Sequence, residues 1–341
     1  MQENNFSPKV SVIVPVYGVE KFIERCVRSL FEQTLQEMEY IFVDDCTKDK
    51  SIAVLEKVIE QYPQRKPWVK ILHHEVNKGL PTARHTGLMQ ASGEYIAHCD
   101  SDDWVEKDIY QTLYDKAKQE EADIVWCDFL SDDGKNYQKP IAKFPPNYPL
   151  TKEQLMKDLL THRITGSVCG YVSHRSLYEN KILYPKANMG EDWALTVQLI
   201  YYSRRKIGYI PKPMYHYFIN PESICRVPTI EKKLQNLNDL VTNTNTILDF
   251  LKLNNAEKDY EQYYAMMKLY CRYQIANAVN NKQCYKAWKN CFKEIEGNVM
   301  KNKEVTTQYK LYYLLGWTRL FPLLFYVKQL LKRHEKAQMA R

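Results

Sequence analysis

The chain has 341 residues, 45% of them hydrophobic and 26% charged, with a formal net charge of +7. That length builds one large core or two smaller ones, and that composition excludes a mostly disordered chain. The positive charge favours an anionic partner, a phosphorylated substrate or an acidic membrane; no nucleic-acid-binding motif accompanies it, so no nucleic acid is expected among the partners.

Met1–Lys9 is polar and lacks an apolar stretch of the signal-peptide kind. Val10–Val16 is a near-continuous run of Val and Ile, the pattern of a strand buried on both faces. Glu20–Gln33 then places Phe22, Ile23, Cys26, Val27, Leu30 and Phe31 on one side of a helix. Tyr40–Val43 reads as a second strand ending in Asp44-Asp45, with a helix over about 51–62 behind it. Val69–Leu72 is a third strand, and Pro81 opens a helix that runs through Ala91, since proline is tolerated in a first turn. A fourth strand, Tyr95–Cys99, ends at Asp100-Ser101-Asp102-Asp103; a helix over about 107–119 leads to the strand Asp123–Cys127. This alternation predicts an α/β fold, a mostly parallel sheet with helices on both faces. Ser131–Pro149, with four prolines, reads as a loop or flap. From about Ile230 the pattern turns helical, so the α/β domain is expected over 1–226 and a helical region over 227–341.

The nine cysteines form no C-x-x-C pair and no zinc spacing. Cys26, Cys99 and Cys127 sit among apolar residues as buried thiols, which points to a reducing, cytoplasmic setting.

In an open parallel sheet, ligands bind beyond the carboxyl ends of the strands. The first strand ends at Pro15-Val16-Tyr17-Gly18, the second at Asp44-Asp45 and the fourth at Asp100–Asp103. One aromatic ring and a dense set of carboxylates therefore face one crevice. Carboxylates so close repel each other unless a cation lies among them, and a hard divalent ion, Mg²⁺ or Mn²⁺, is suited to oxygen ligands and to bridging a diphosphate. An acidic run after a strand is also a common turn and helix cap; two such runs at strand ends of one sheet weaken that reading. Arg84 falls near a helix N-terminus, where anions are favoured, although a surface salt bridge is its ordinary role.

The ordered series Val10–Tyr17, Asp44-Asp45, Asn77-Lys78-Gly79 through Arg84 and Gly87, Gly93–Ile96 into Asp100–Asp103, and Gly190-Glu191-Asp192 resembles the inverting glycosyltransferases of family 2, which have the GT-A fold. The resemblance covers roughly residues 8 to 225 and implies a nucleotide-sugar-binding half over 1–104 and an acceptor-side half over 105–226. It implies Tyr17 and Pro15 at the nucleotide base, Asp45 accepting a hydrogen bond from it, Arg84 near the base or diphosphate, and Asp100 at the ribose or metal shell. Asp102 would bind the metal and Asp192 would be the general base; Glu191, His216 and Arg226 are candidate acceptor or diphosphate contacts. For His216 a satisfied structural histidine is the competing reading. The family usually carries Asn at the positions of Gly18 and His85, and Gly-Ser where Cys46-Thr47 stands. The donor implied is a UDP-sugar, with GDP- or dTDP-sugars as the alternative; the acceptor implied is a glycan or lipid-linked molecule in surface-polysaccharide assembly. A catalytically inactive GT-A binding protein is the other class weighed. A dinucleotide dehydrogenase is disfavoured because no G-x-G-x-x-G follows the first strand.

Near the end, residues 309–333 combine Leu, Tyr, Trp and Phe with Lys310, Arg319, Lys328, Lys332 and Arg333, and no acidic residue lies between Glu304 and Glu335. Arg319 and Pro322 argue against a spanning helix; a helix lying on an anionic membrane, peripheral to its cytoplasmic face, is the expectation, with docking on the catalytic domain as the alternative.

Overall fold

The computed structural model describes residues 7–133, 138–220, 229–324 and 326. Strands β1 (Val10–Val16), β2 (Met38–Asp44), β3 (Val69–His73) and β4 (Tyr95–His98) pair in the order β3-β2-β1-β4, all parallel. The crossovers carry α1 (Ile23–Phe31), α2 (Ser51–Ile59) and α3 (Leu80–Leu88). Every residue of β1 is buried, as its unbroken Val/Ile run requires of a strand with neighbours on both sides and helices over it. Helix α1 buries Ile23, Cys26, Val27, Leu30 and Phe31, the stripe its spacing predicts. The registers Val16↔Asp44 and Ile13↔His98 bring the carboxyl ends of β1, β2 and β4 to one level.

Beyond β4 the sheet becomes mixed. The elements are β5 (Trp104–Val105), α4 (Ile109–Glu120), β6 (Ala122–Asp132), β7 (Gln138–Ile141), α5 (Lys152–Leu160), β8 (Tyr171–His174), α6 (Glu191–Tyr202) and β9 (Lys206–Phe218). Strand β8 lies antiparallel between β4 and β6, β9 runs parallel to β6, and β5 is antiparallel to β9. Part of the expected flap over 131–149 is strand: β7 pairs antiparallel with β6, and all four of its residues are exposed. Pro140 is tolerated there because an edge strand need not donate on its outer side.

Contacts group the chain into two units, Met1–Met156 with Ile164–Pro221, and Lys157–Arg163 with Glu222–Arg341. The division falls slightly ahead of the boundary expected at 226, and the last turn of α5 groups with the second unit. That unit contains α7 (Ile230–Leu253), α8 (Glu257–Ile275), α9 (Lys282–Asn290) and α10 (Thr307–Trp317). Side chains cap three of these: Thr229, Asn281 and Thr306 accept from backbone N–H groups in the first turns of α7, α9 and α10. Arg272 lies fully inside, its Nε donating to the Cys291 carbonyl at 2.7 Å and its guanidinium over the Trp288 ring. Among the described residues no helix is long and apolar enough to cross a membrane. The rest of the expected tail segment, residue 325 and residues 327–333, lies outside the described residues, as does Arg226.

Candidate active site

The three parallel strand ends meet helices α3 and α6. At the end of β1, Pro15 is buried opposite Val43, whereas Tyr17 is 53% exposed. The Gly18 N–H donates to Thr47 Oγ1 at 2.9 Å, tying this end to the turn after β2. In that turn Cys46 sits at φ 59, a left-handed conformation that costs a residue with a side chain more than glycine.

Asp45 is buried. Its Oδ1 accepts from Lys78 N at 2.7 Å and pairs with His74 Nδ1 at 2.7 Å; its Oδ2 accepts from Gly79 N at 2.8 Å. A carboxylate has about four lone-pair directions, so three are taken and one remains on Oδ2. Asp45 thus clamps the turn that starts α3. Gly79, at φ 86, has no room for a side chain, because a Cβ there would meet Asn188 Oδ1 at 2.8 Å. The same Asn188 oxygen accepts from Leu80 N at 3.0 Å, satisfying one of the open donors at the helix start.

Arg84, in the second turn of α3, is buried and joins two distant segments. Its Nη2 donates to Asp100 Oδ1 at 2.5 Å, and its Nη1 donates to Glu191 Oε1. Burial works against its charge, but Asp100 first and Asp192 after it outweigh burial and hold the guanidinium protonated. Glu191 is buried, so its contact is with Arg84 and not with solvent. Asp192 follows at the first turn of α6, where the helix N-terminus favours a carboxylate, and its Oδ1 accepts from Trp193 N at 2.7 Å. Burial, with a smaller contribution from Asp100, raises the Asp192 carboxyl above its ordinary value, against the pull of Arg84. That direction suits a proton acceptor.

The run after β4 divides by role. Asp103 is buried, with Oδ2 accepting from Tyr215 OH at 2.7 Å and Oδ1 from Phe218 N at 2.7 Å. Asp102 accepts from Asn220 Nδ2 at 3.0 Å through Oδ2. Burial first, and then Asp100, raise the Asp102 carboxyl; Asp103 is raised well above its ordinary value by burial and by both neighbours. This is negative charge short of compensation. Asp100 Oδ1 is bonded to Arg84 and Asp102 Oδ2 to Asn220. No set of three side chains forms a complete metal cage among the described residues. A divalent ion that takes one or two carboxylates and fills its shell with phosphate oxygens and water fits this donor set.

Sequence reasoning missed Lys143, Asn220 and Arg25. Lys143 is buried; its Nζ donates to the Thr165 carbonyl at 2.6 Å, and burial pushes its pKa down to about 8 despite the opposing charge of Asp192. The segment it holds packs on α6: a Cβ on Gly166 would meet Trp193 Cα at 2.6 Å, and Thr196 Oγ1 donates to the Gly166 carbonyl at 2.8 Å. Arg25 Nη2 donates to the Asp102 carbonyl at 3.3 Å and its guanidinium lies 3.4 Å from the Trp104 ring centre. His216 stacks on the Trp104 ring and pairs through Nε2 with Glu106 at 2.8 Å. From this stretch of chain it is Asn220, not His216, that touches Asp102. Nothing in local sequence distinguishes these residues; each is identified by a contact across more than twenty positions or by burial of its charge.

A parallel half-sheet joined to a mixed half, with these helices, is a fold of the GT-A class. Residues 11–184, more than half of the chain, match the family described as Glycosyl transferase family 2, and the chain belongs to that family. It is 35% identical over 229 residues to the uncharacterized glycosyltransferase EpsJ of Bacillus subtilis (strain 168), covering 65% of this chain and 64% of that protein, so the chain spans just under two thirds of that relative's length. To EpsH of the same organism it is 32% identical over 263 residues, covering 75% of this chain and 73% of EpsH. Among solved structures, S. aureus TarS 1–349 in complex with UDP-GlcNAc is similar in fold, with a TM-score of 0.57 and 17% identity over 92% of this chain and 88% of that one.

Proposed function

We propose that the chain is an inverting glycosyltransferase that moves one sugar from a nucleotide-diphosphate sugar, a UDP-sugar before others, to a glycan or lipid-linked acceptor in surface-polysaccharide assembly. The observation that carries this reading is Arg84: one buried cation bonded to Asp100 at the end of β4 and to Glu191 at the start of α6, next to Asp192. In this reading Arg84 ties the metal side of the transfer to its proton-accepting side. The UDP-GlcNAc seen with TarS supports the choice of donor class.

In this reading Tyr17 stacks on the base and the remaining lone pair of Asp45 accepts from it. Asp102, with Asp100 beside it, would hold a divalent ion, Mg²⁺ or Mn²⁺; when bound, that ion supplies positive charge against the leaving diphosphate. Asp192 accepts the acceptor hydroxyl's proton as that oxygen attacks the anomeric carbon from the face opposite the diphosphate. Glu191 acts through Arg84, and Lys143 keeps a positive charge beside Asp192. A single displacement needs no enzyme nucleophile, and inverts the anomeric centre.

The test incubates the chain with UDP-, GDP- and dTDP-sugars and a divalent ion, following release of nucleoside diphosphate and the anomeric configuration of the product by NMR. UDP-sugar turnover with inversion is expected. Turnover with retained configuration overturns the mechanism, and release of diphosphate from GDP- or dTDP-sugars alone overturns the donor assignment.

A further inference from the structure

The helical unit presents an apolar surface that its own core does not use. Twelve large hydrophobic side chains are exposed among the described residues, and five of them, Leu311, Leu314, Leu320, Leu323 and Tyr326, fall between positions 311 and 326, between 46% and 62% exposed. Such a concentration differs from the scattered exposed leucines that any surface carries. The opposite side of the same segment is well packed: Tyr312, Tyr313, Gly316 and Phe321 are buried. Tyr312 lies in a ring cluster with Tyr273 and Phe321, and Tyr313 packs near Trp288. The inner face therefore fixes the outward direction of the leucines. Leu311 and Leu314 are three apart on α10 and share one side of it, and Leu320, Leu323 and Tyr326 recur at the same spacing after α10 ends.

Charge identifies the occupant. From position 305 to 334 the sequence has no acidic residue and five basic ones, Lys310, Arg319, Lys328, Lys332 and Arg333. A second copy of this segment would bring like charges together, whereas an anionic bilayer offers apolar depth and negative headgroups at once. Arg319 and Pro322 interrupt the apolar run, which suits a segment lying in the interface plane. We infer that Leu311, Leu314, Leu320, Leu323 and Tyr326 form a membrane-docking face that seats the helical unit on anionic lipid. The inference does not depend on which sugar is transferred, or on whether transfer occurs.

The test is flotation of the full chain with vesicles of phosphatidylcholine alone and of phosphatidylcholine mixed with phosphatidylglycerol. The chain should float with the anionic vesicles and bind the neutral ones about tenfold less, because a cluster of basic residues adds to affinity only where the surface is negative. The double variant Leu320→Glu/Leu323→Glu should lose about tenfold in bound fraction while keeping its circular dichroism and Tm, since both side chains are already exposed. If that variant is not folded, Leu311→Gln/Leu314→Gln takes its place with the same expected loss. Flotation of a folded variant equal to that of the unaltered chain overturns the inference. So does failure of the unaltered chain to bind either vesicle, or a dimer in light scattering that the leucine variant dissolves.

Discussion

Asp45 and Asp102 each follow a strand of the parallel half of the sheet, each within an acidic run, and their surroundings differ in kind. Asp45 is enclosed by donors: two backbone N–H groups and His74 occupy three of its lone-pair directions. Asp102 has one side-chain donor, Asn220, and a carboxylate neighbour that raises it further. The first carboxylate organises the turn that starts α3; the second keeps an unmet charge. A carboxylate with satisfied donors contributes to the fold, and one left in repulsion stores affinity for a cation.

Five substitutions break or sharpen this contrast, taken from the largest expected effect. Asp192→Asn should lower transfer about a thousandfold, the scale of a lost general base, with nucleoside diphosphate affinity unchanged by calorimetry. Next is Arg84→Leu, which leaves Glu191 buried without its cation and parts it from Asp100. A loss of about 3–5 kcal/mol in denaturant unfolding is expected, as for one partner removed from a buried pair.

A smaller effect separates the two acidic corners directly. Asp45→Ala orphans Lys78 N, Gly79 N and His74 and should cost about 1–3 kcal/mol of stability. Asp102→Asn should do the reverse in the absence of metal. The Asp102 carboxyl is raised above its unfolded value, by burial first and by Asp100 next. Its contribution to stability is therefore present below the ordinary carboxylate range and lost as pH rises through the folded value. The Tm of the metal-free chain should fall relative to Asp102→Asn as the pH rises from the ordinary carboxylate range through the raised folded value, a difference that scanning calorimetry would read. The smallest change is Lys143→Met. Removing that positive charge raises the Asp192 pKa further, so the acidic limb of the pH–rate profile should move to higher pH while the rate near neutrality changes less.

The same contrast explains what could be read from the chain alone. The parallel half was legible because buried strands such as Val10–Val16 appear as unbroken apolar runs, and because acidic residues at their ends stand out against them. The mixed half was legible only in part: the helix over about 107–119 and the strand Asp123–Cys127 are present as α4 and β6, whereas β8 has four residues, too few to show a period, and β7 is an exposed edge that accepts Pro140. The residue types at the site were visible, but their division of labour was not. Arg84 and Glu191 are 107 positions apart, and Asp45 finds its donors about 30 positions away, so only the folded sheet brings the partners together. Lys143 lies in a proline-rich stretch where a lysine reads as solvated; its burial against Thr165 is a tertiary fact.

The most direct test of the acidic corner is titration of UDP into the chain with Mn²⁺ and again with a chelator, for the unaltered protein, Asp102→Ala and Asp45→Asn. Binding that needs Mn²⁺ in the unaltered protein, disappears in Asp102→Ala and keeps its metal dependence in Asp45→Asn is the expected result. Metal-dependent UDP binding by Asp102→Ala at the unaltered affinity would contradict the account.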